Sequence, residues 1–276
     1  MRELFFNSLI NEMRKNDKIY FLTADMGMGL VEQIEREFPR RYLNVGIAEQ
    51  NLIGVAAGLA ESGFRPYVYT ISNFLVHRCL EQIRNDLILH KLPVVLVGTS
   101  TGFDHGSLGP THHIVDDWGV LANFPGLDVK CPYDEISVQK IWNESVNTPR
   151  PMYVRIPKGN GFHLNSSEVS KYNEKNIVIS YGSALALAGE YAKSKSAKLL
   201  ATEDLGLGIN KKLDAELADK KIESITIFED HFPWSGLYSY VCQWVVQRKL
   251  NIEVLSVAPH GYATVAGIPD FEDEQW

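Results

Sequence analysis

The sequence predicts an α/β protein of two domains, each a mostly parallel sheet flanked by helices. Short, almost continuously apolar runs alternate with longer helical patterns, as in parallel sheets covered on both faces. A polar stretch rich in Gly, Asn and Ser, near residues 158–175, interrupts this alternation once. The chain has 276 residues, 45% of them hydrophobic, which is enough for two cores.

The first domain is predicted over residues 1–160. Residues 1–17 carry apolar side chains at helical spacing and are expected to form an amphipathic helix. Apolar runs then predict strands at 19–24, 65–70, 93–99, 126–131 and 151–156. Helical patterns lie between them, near 30–38, 49–61, 75–91 and 134–147.

A linker is predicted over residues 161–175 and a smaller α/β domain over 176–262. Its strands are expected at 176–182, 198–203, 223–230 and 251–257, and its helices near 184–194, 210–219 and 236–248. Residues 263–276 form an acidic tail.

Composition excludes several classes of protein. The formal net charge is −7, and no basic patch suggests nucleic-acid binding. Cys79, Cys131 and Cys242 are too widely spaced for a metal site or a disulfide framework. No apolar run reaches the roughly 18–20 residues that cross a bilayer, and no signal peptide is evident. We expect a cytoplasmic protein that does not enter a membrane.

Residues 44–51 place a carboxylate, Glu49, at the start of a helix of small apolar residues. A glutamate at this position either performs chemistry or simply interacts favourably with the helix dipole.

Residues 99–113 form a glycine-rich loop after a strong predicted strand. The loop contains His105, His112 and His113. Loops at the carboxyl ends of parallel strands bind ligands, and histidine transfers protons near neutral pH. A metal site and a solvated turn are the alternatives.

Two further segments carry candidate binding residues. Phe74, Arg78 and Gln82 share one helix face, where the aromatic ring either holds a flat heterocycle or belongs to the core. Arg155 ends a buried strand, as an anion clamp or as a salt bridge that closes the domain.

Together these motifs resemble the transketolase family in the broad sense, over about residues 1–262. The first domain carries the family's segments as NVGIAEQN, R..EQIRND and the histidine loop G..GPTHH..DD, and the second carries ITIFEDH…GLYSYV. The resemblance implies a thiamine diphosphate pyrimidine-binding fold followed by a transketolase C-terminal domain.

The resemblance also implies thiamine diphosphate as the cofactor. Glu49 matches the glutamate that hydrogen-bonds the pyrimidine ring nitrogen and thereby activates the cofactor, and Phe74 matches the aromatic that stacks on the aminopyrimidine. Asp25 and Arg78 match positions at the cofactor.

The substrate-binding residues implied in the same way are His112, which is also implied to be catalytic, together with His105, Leu108 and Arg155. Arg155 matches an arginine that holds an acceptor phosphate. Leu108 replaces the family's aspartate for a substrate hydroxyl, which suggests an unusual ketose or deoxysugar donor.

Three other positions depart from the family. Ser100 replaces a phosphate-binding histidine, and Ile71 and His77 replace aromatics around the pyrimidine.

The family's Gly-Asp-Gly motif for diphosphate and metal is absent from the sequence. We therefore expect a partner subunit that binds the diphosphate and Mg²⁺ or Ca²⁺, in an α2β2 heterotetramer. The predicted function is the beta-type subunit of a transketolase that transfers a two-carbon ketol unit between sugars or sugar phosphates.

Three alternatives remain open. One is the beta subunit of a 2-oxo-acid dehydrogenase, another a 1-deoxy-xylulose-phosphate synthase-like subunit, and the third a non-catalytic regulatory or scaffold subunit.

Overall fold

Two sheets organise the chain in a computed structural model that describes residues 1–159, 162, 173–217 and 221–264. The larger sheet has seven strands and the smaller has four. The predicted α/β class with two mostly parallel sheets is therefore confirmed.

The larger sheet is parallel except at one edge. Its strands, numbered along the chain, are β1 (Ile19–Thr23), β2 (Tyr42–Asn44), β3 (Arg65–Ile71), β4 (Val95–Thr99), β5 (Asp128–Lys130), β6 (Met152–Ile156) and β9 (Asp204–Leu205). Their order across the sheet is β2-β1-β3-β4-β6-β5-β9, and only β9 runs antiparallel to its neighbour.

Helices cover both faces of this sheet. They are α1 (Arg2–Lys15), α2 (Glu32–Glu37), α3 (Glu49–Glu61), α4 (Ser72–His77), α5 (Leu80–Gln82), a π-helix (Ile83–Ile88), α6 (Asp117–Leu121) and α7 (Glu135–Asn147). Successive strand residues enter opposite cores, since Phe21 packs with α1 and α7 whereas Leu22 packs with α3 and α4. This two-sided burial explains the continuous apolar runs in the sequence.

The smaller sheet is entirely parallel, with the order β11-β10-β7-β8. Its strands are β7 (Asn173–Ser180), β8 (Ala197–Ala201), β10 (Ser224–Phe228) and β11 (Glu253–Val257), and its helices are α8 (Leu185–Ser194), α9 (Ile209–Leu217) and α10 (Leu237–Gln247). One apolar cluster joins α3 and α4 to Ile179, Leu237 and Trp244, so the two sheets share a core.

The structure differs from the sequence prediction at four places. β2 was not predicted, and β9 joins the first sheet from within residues 176–262. The helix expected near 75–91 is instead a succession of short helices. The smaller sheet begins at Asn173, inside the predicted linker.

Most of the predicted linker 161–175 and tail 263–276 lies outside the described residues. Among the described residues, every helix is too short or too polar to span a lipid bilayer.

Candidate active site

The candidate site residues follow the carboxyl ends of neighbouring parallel strands. Asp25 comes just after β1, Glu49 follows β2, α4 begins directly after β3, and the glycine-rich loop follows β4. These strands are adjacent in the sheet, so the topology gathers their following segments at one edge, where open α/β sheets bind ligands.

Asn44 joins the segments that follow β1 and β2. Its Oδ1 accepts hydrogen bonds from the backbone N–H of Asp25 at 2.9 Å and of Gly46 at 3.0 Å, while its Nδ2 donates to Asp25 Oδ1 at 3.2 Å. Asp25 has a φ of 51°, an uncommon left-handed conformation for a residue other than glycine. This bonding fixes the Asp25 backbone beside the segment that leads into α3.

Glu49 is the first residue of α3, and its side chain is only 1% exposed. The carboxylate does not cap its helix; instead its Oε2 accepts a hydrogen bond from Arg78 Nη1 at 2.6 Å. A glutamate that served only the helix dipole would have no need of burial, which is costly for an ionised carboxylate. The interaction with the helix dipole therefore does not explain the position of this side chain by itself.

Five of the sequence-predicted residues form a continuous series of contacts. From Glu49 the series continues through Arg78, whose guanidinium lies 4.2 Å from the centroid of the Phe74 ring. The Phe74 and His112 rings are 5.1 Å apart between centroids, and the His112 and His105 rings are 5.9 Å apart. The structure thus brings together a buried carboxylate, an aromatic ring and two histidines.

Lys158 extends this series, although no sequence pattern predicted it as a site residue. Lys158 Nζ donates to His105 Nδ1 at 2.7 Å and to the Asp104 carbonyl at 3.1 Å. Burial, with the nearby charges of Lys158 and His112, lowers the pKa of His105 to about 4, so this ring is neutral near neutral pH. Burial raises the pKa of Asp104 to about 6. Leu108 lies in the same loop and is 53% exposed.

Arg155 does not fit the expected anion clamp. Its side chain is 0% exposed, and its Nε donates to both carboxylate oxygens of Asp117, at 3.1 and 2.9 Å. Nη1 donates to Asp230 Oδ1 at 2.8 Å, and Nη2 donates to the Ile114 carbonyl at 3.3 Å. A buried guanidinium compensated by two carboxylates has little left to offer a phosphate, so the structure favours the alternative of a salt bridge that closes the domain.

Asp117 and Asp230 were not predicted as partners of Arg155. The only local signal was the pair of aspartates after the histidine loop. Asp230 comes from the end of the smaller sheet, 75 positions along the chain from its partner.

The site fits one end of thiamine diphosphate better than the other. A buried carboxylate and an aromatic ring match the needs of an aminopyrimidine, which requires a hydrogen-bond partner at its ring nitrogen and an apolar surface for its face. The described residues contain no group of three or more His, Cys, Asp or Glu side chains that could hold a metal ion. The chemistry of these residues therefore fits the pyrimidine end of the cofactor.

Comparison with known proteins places this site in a family context. Residues 1–162 match the family described as the transketolase pyrimidine-binding domain. A 1-deoxy-D-xylulose-5-phosphate synthase of Syntrophomonas wolfei is 30% identical over 272 residues, which cover 93% of this chain and 42% of that protein. This chain therefore spans less than half of the synthase.

Two other similar proteins are covered over most of their length. One subunit of the apulose-4-phosphate transketolase of Phocaeicola vulgatus is 27% identical, over 93% of this chain and 86% of its own length. A solved structure described as a split-gene transketolase in an inactive beta4 tetramer superposes with a TM-score of 0.80 at 25% identity. That superposition covers 95% of this chain and 89% of the other.

Proposed function

The chain belongs to the transketolase family through its pyrimidine-binding domain, and we propose that it is the beta-type subunit of a two-subunit, thiamine diphosphate-dependent transketolase. In this proposal Glu49 is the catalytic residue that activates the cofactor. The reaction is the transfer of a two-carbon ketol unit between sugar or sugar phosphate substrates.

The burial of Glu49 is the observation that carries the proposal. The carboxylate is 1% exposed, does not cap its helix, and lies in contact with Arg78, which packs over the Phe74 ring. A buried acid beside an aromatic ring is suited to hold a proton at a heterocyclic nitrogen, because burial strengthens the hydrogen bond that it makes.

The other residues bind and orient. Phe74 provides an aromatic surface for the pyrimidine, and Arg78 holds the Glu49 carboxylate in place. His112, 5.1 Å from the Phe74 ring, is close enough to exchange a proton with a substrate oxygen beside the cofactor. Thiamine diphosphate, when bound, supplies the nucleophilic carbon and the electron sink for carbon–carbon bond cleavage.

The proposed partner is a subunit that binds the diphosphate and a Mg²⁺ or Ca²⁺ ion, in an α2β2 heterotetramer. Support comes from the similar proteins of nearly equal length, one named as a transketolase subunit and one described as a beta-only tetramer that is inactive. In such an assembly each active site lies between two chains, and this chain holds the pyrimidine end of the cofactor.

The proposed donor is a ketose or deoxysugar with an apolar group where ordinary ketoses carry a hydroxyl. Leu108 is 53% exposed in the loop that carries His112, so it is available to a substrate. An apolar side chain there leaves a substrate hydroxyl without a partner. A panel of donors in which xylulose 5-phosphate is much the best would argue against this part of the proposal.

A second candidate function is decarboxylation of pyruvate, as in a 1-deoxy-xylulose-phosphate synthase. It is favoured by the 30% identity to such a synthase over 93% of this chain. Release of CO₂ from pyruvate by the assembled subunits, without ketol transfer between sugars, would select this candidate.

The test of the main proposal combines binding and turnover. Calorimetry with thiamine diphosphate and Mg²⁺ is expected to detect no binding to this chain alone and tight binding once the partner subunit is added. Glu49→Gln is expected to reduce turnover of the complex by at least about 100-fold, because a positioned acid–base group contributes about that much. Glu61→Gln is the matched control, since Glu61 ends the same helix and is exposed.

Two outcomes would contradict the proposal. Near-normal turnover of Glu49→Gln would remove Glu49 from catalysis. An assembled complex that binds no cofactor and converts no ketose would favour a non-catalytic regulatory or scaffold subunit.

A further inference from the structure

Residues 114–117 form a junction between the candidate active site and the smaller sheet. The Ile114 carbonyl accepts from Arg155 Nη2 at 3.3 Å, and the Val115 carbonyl accepts from the backbone N–H of Phe232 at 2.7 Å. Asp117 accepts a hydrogen bond from Arg155 Nε, and Arg155 Nη1 donates to Asp230. The segment that directly follows His112 and His113 is therefore held from several directions.

Asp116 is the partly exposed member of this junction, and each of its two carboxylate oxygens has a different partner. Oδ1 lies 2.9 Å from His77 Nε2, at the end of α4. Oδ2 accepts a hydrogen bond from the Tyr262 hydroxyl at 2.6 Å. One carboxylate thus ties the helix that carries Phe74 to the segment that follows β11.

The His77 end of α4 needs external support. The helix has only six residues, and it is followed by Arg78 and Cys79 before α5 begins, so its own hydrogen bonds hold it weakly. Phe74 lies one turn before His77 on the same side of the helix, and Arg78 is the next residue. Fixing His77 therefore fixes the two residues that contact Glu49 or the proposed pyrimidine.

The charges around this contact favour a protonated His77. The hydrogen bond to Asp116, opposed by burial, raises the pKa of His77, and the charges of Asp116 and Asp117 act in the same direction. The pKa of Asp116 is lowered against burial by His77 and Tyr262, with a further contribution from His231. Arg78 is the neighbouring cation on the same side of the site.

We propose that Asp116 is a positioning residue that holds His77 and the segment around Tyr262 at the edge of the site, so that cofactor binding is tighter while His77 is protonated. The claim about cofactor binding rests on the proposed function, whereas the contacts of Asp116 with His77 and Tyr262 do not depend on it. Because the His77 pKa is raised above its ordinary 6.5, the charged contact is fully present below pH 6.5 and is lost as the pH rises through the raised value.

The contact is tested without any cofactor by NMR titration of the histidines in the full chain. His77 is expected to titrate above 6.5 and to return towards that value in Asp116→Asn, whereas the exposed His90 is unchanged in the same variant. A His77 that titrates at or below 6.5, or that is indifferent to Asp116→Asn, would overturn the proposal.

Backbone NMR relaxation tests the other oxygen of Asp116. Tyr262→Phe is expected to lower the order parameters of residues 260–264, whereas Tyr191→Phe, which changes a ring packed on Phe228, leaves them unchanged. Equal order parameters in the two variants would show that Tyr262 does not hold this segment.

The effect on the site is tested by calorimetry of thiamine diphosphate with Mg²⁺ and the assembled subunits. As the pH rises through the His77 titration, the affinity of the wild type is expected to fall about two- to fivefold more than the affinity of His77→Gln, which does not titrate and adds no aromatic ring. His90→Gln should follow the wild type. Parallel pH profiles of the wild type and His77→Gln would overturn the claim about cofactor binding.

Absence of cofactor binding in every variant would refute the proposed function together with the claim about cofactor binding. The histidine titration and the relaxation results would still decide whether Asp116 positions His77 and Tyr262.

Discussion

Replacement of Arg155 by Met separates the two roles that the sequence allows for this arginine. In the structure the guanidinium is 0% exposed and lies between two buried carboxylates, those of Asp117 and Asp230. Its removal leaves both carboxylates without their cation inside the protein. Breaking a buried ion pair in this way costs about 3–5 kcal/mol, and two carboxylates place the expected loss at the upper part of that range.

Urea unfolding measures the loss. With an m-value of about 3 kcal/mol per molar, a loss of about 4–5 kcal/mol should lower the unfolding midpoint by about 1.3–1.7 M. Arg150→Met is the matched control, because Arg150 is 52% exposed and its pair with Asp128 should contribute less than about 1 kcal/mol. Adding Asp117→Asn and Asp230→Asn to Arg155→Met should recover part of the loss, since the uncompensated charges are then gone.

A different result would support the role of Arg155 as an anion clamp. If Arg155→Met and Arg150→Met lowered the free energy of unfolding equally, the buried ion pairs of Arg155 would contribute no more to stability than an exposed pair. A selective rise in KM for a phosphorylated acceptor, without loss of stability, would then identify Arg155 as a substrate residue.

Three further predictions concern stability. Burial raises the pKa of Glu229 from 4.5 to about 8, so the wild type loses stability as the pH rises from 4.5 towards 8. The free energy of unfolding of Glu229→Gln, measured relative to the wild type, should therefore increase by about 3 kcal/mol between pH 5 and 8; a difference that stays constant over this pH range would refute the prediction. Gly102→Ala should lower the free energy of unfolding by about 1–3 kcal/mol, and by more than Gly126→Ala does. Both glycines have positive φ, but only at Gly102 would a Cβ lie 2.5 Å from an Asp230 oxygen. Equal losses of the two variants in thermal unfolding would contradict that contact. Asp134→Ala should cost about 1 kcal/mol, because Asp134 Oδ1 caps α7 by accepting the Ser137 N–H at 2.7 Å, and unchanged unfolding in urea would count against the cap.

The secondary structure that depends on local pattern was predictable. The helix expected at 49–61 is observed as Glu49–Glu61, and the continuous apolar runs became strands covered on both faces. Spacing and apolar content within a segment decide these elements, so they can be read without knowledge of the rest of the chain.

Short strands were not predictable in this way. β2 has three residues and β9 has two, which is too few for a periodic signal. β9 exists because its residues pair with β5 at the sheet edge, and that neighbour is more than 70 positions away. Such pairing is set by how the two sheets pack, which no local window contains.

The candidate site shows the same division. The residue types at Glu49, Phe74 and His112 left chemical and structural roles open, and only the resemblance to the transketolase family implied cofactor chemistry. The order of the parallel strands brings these residues to one edge of the sheet. The choice between a dipole-stabilising and a buried Glu49, or between an anion clamp and an ion pair at Arg155, required the tertiary structure. Burial and the charge of a distant partner decide what an ionisable side chain does, and both arise only when segments far apart in the chain meet.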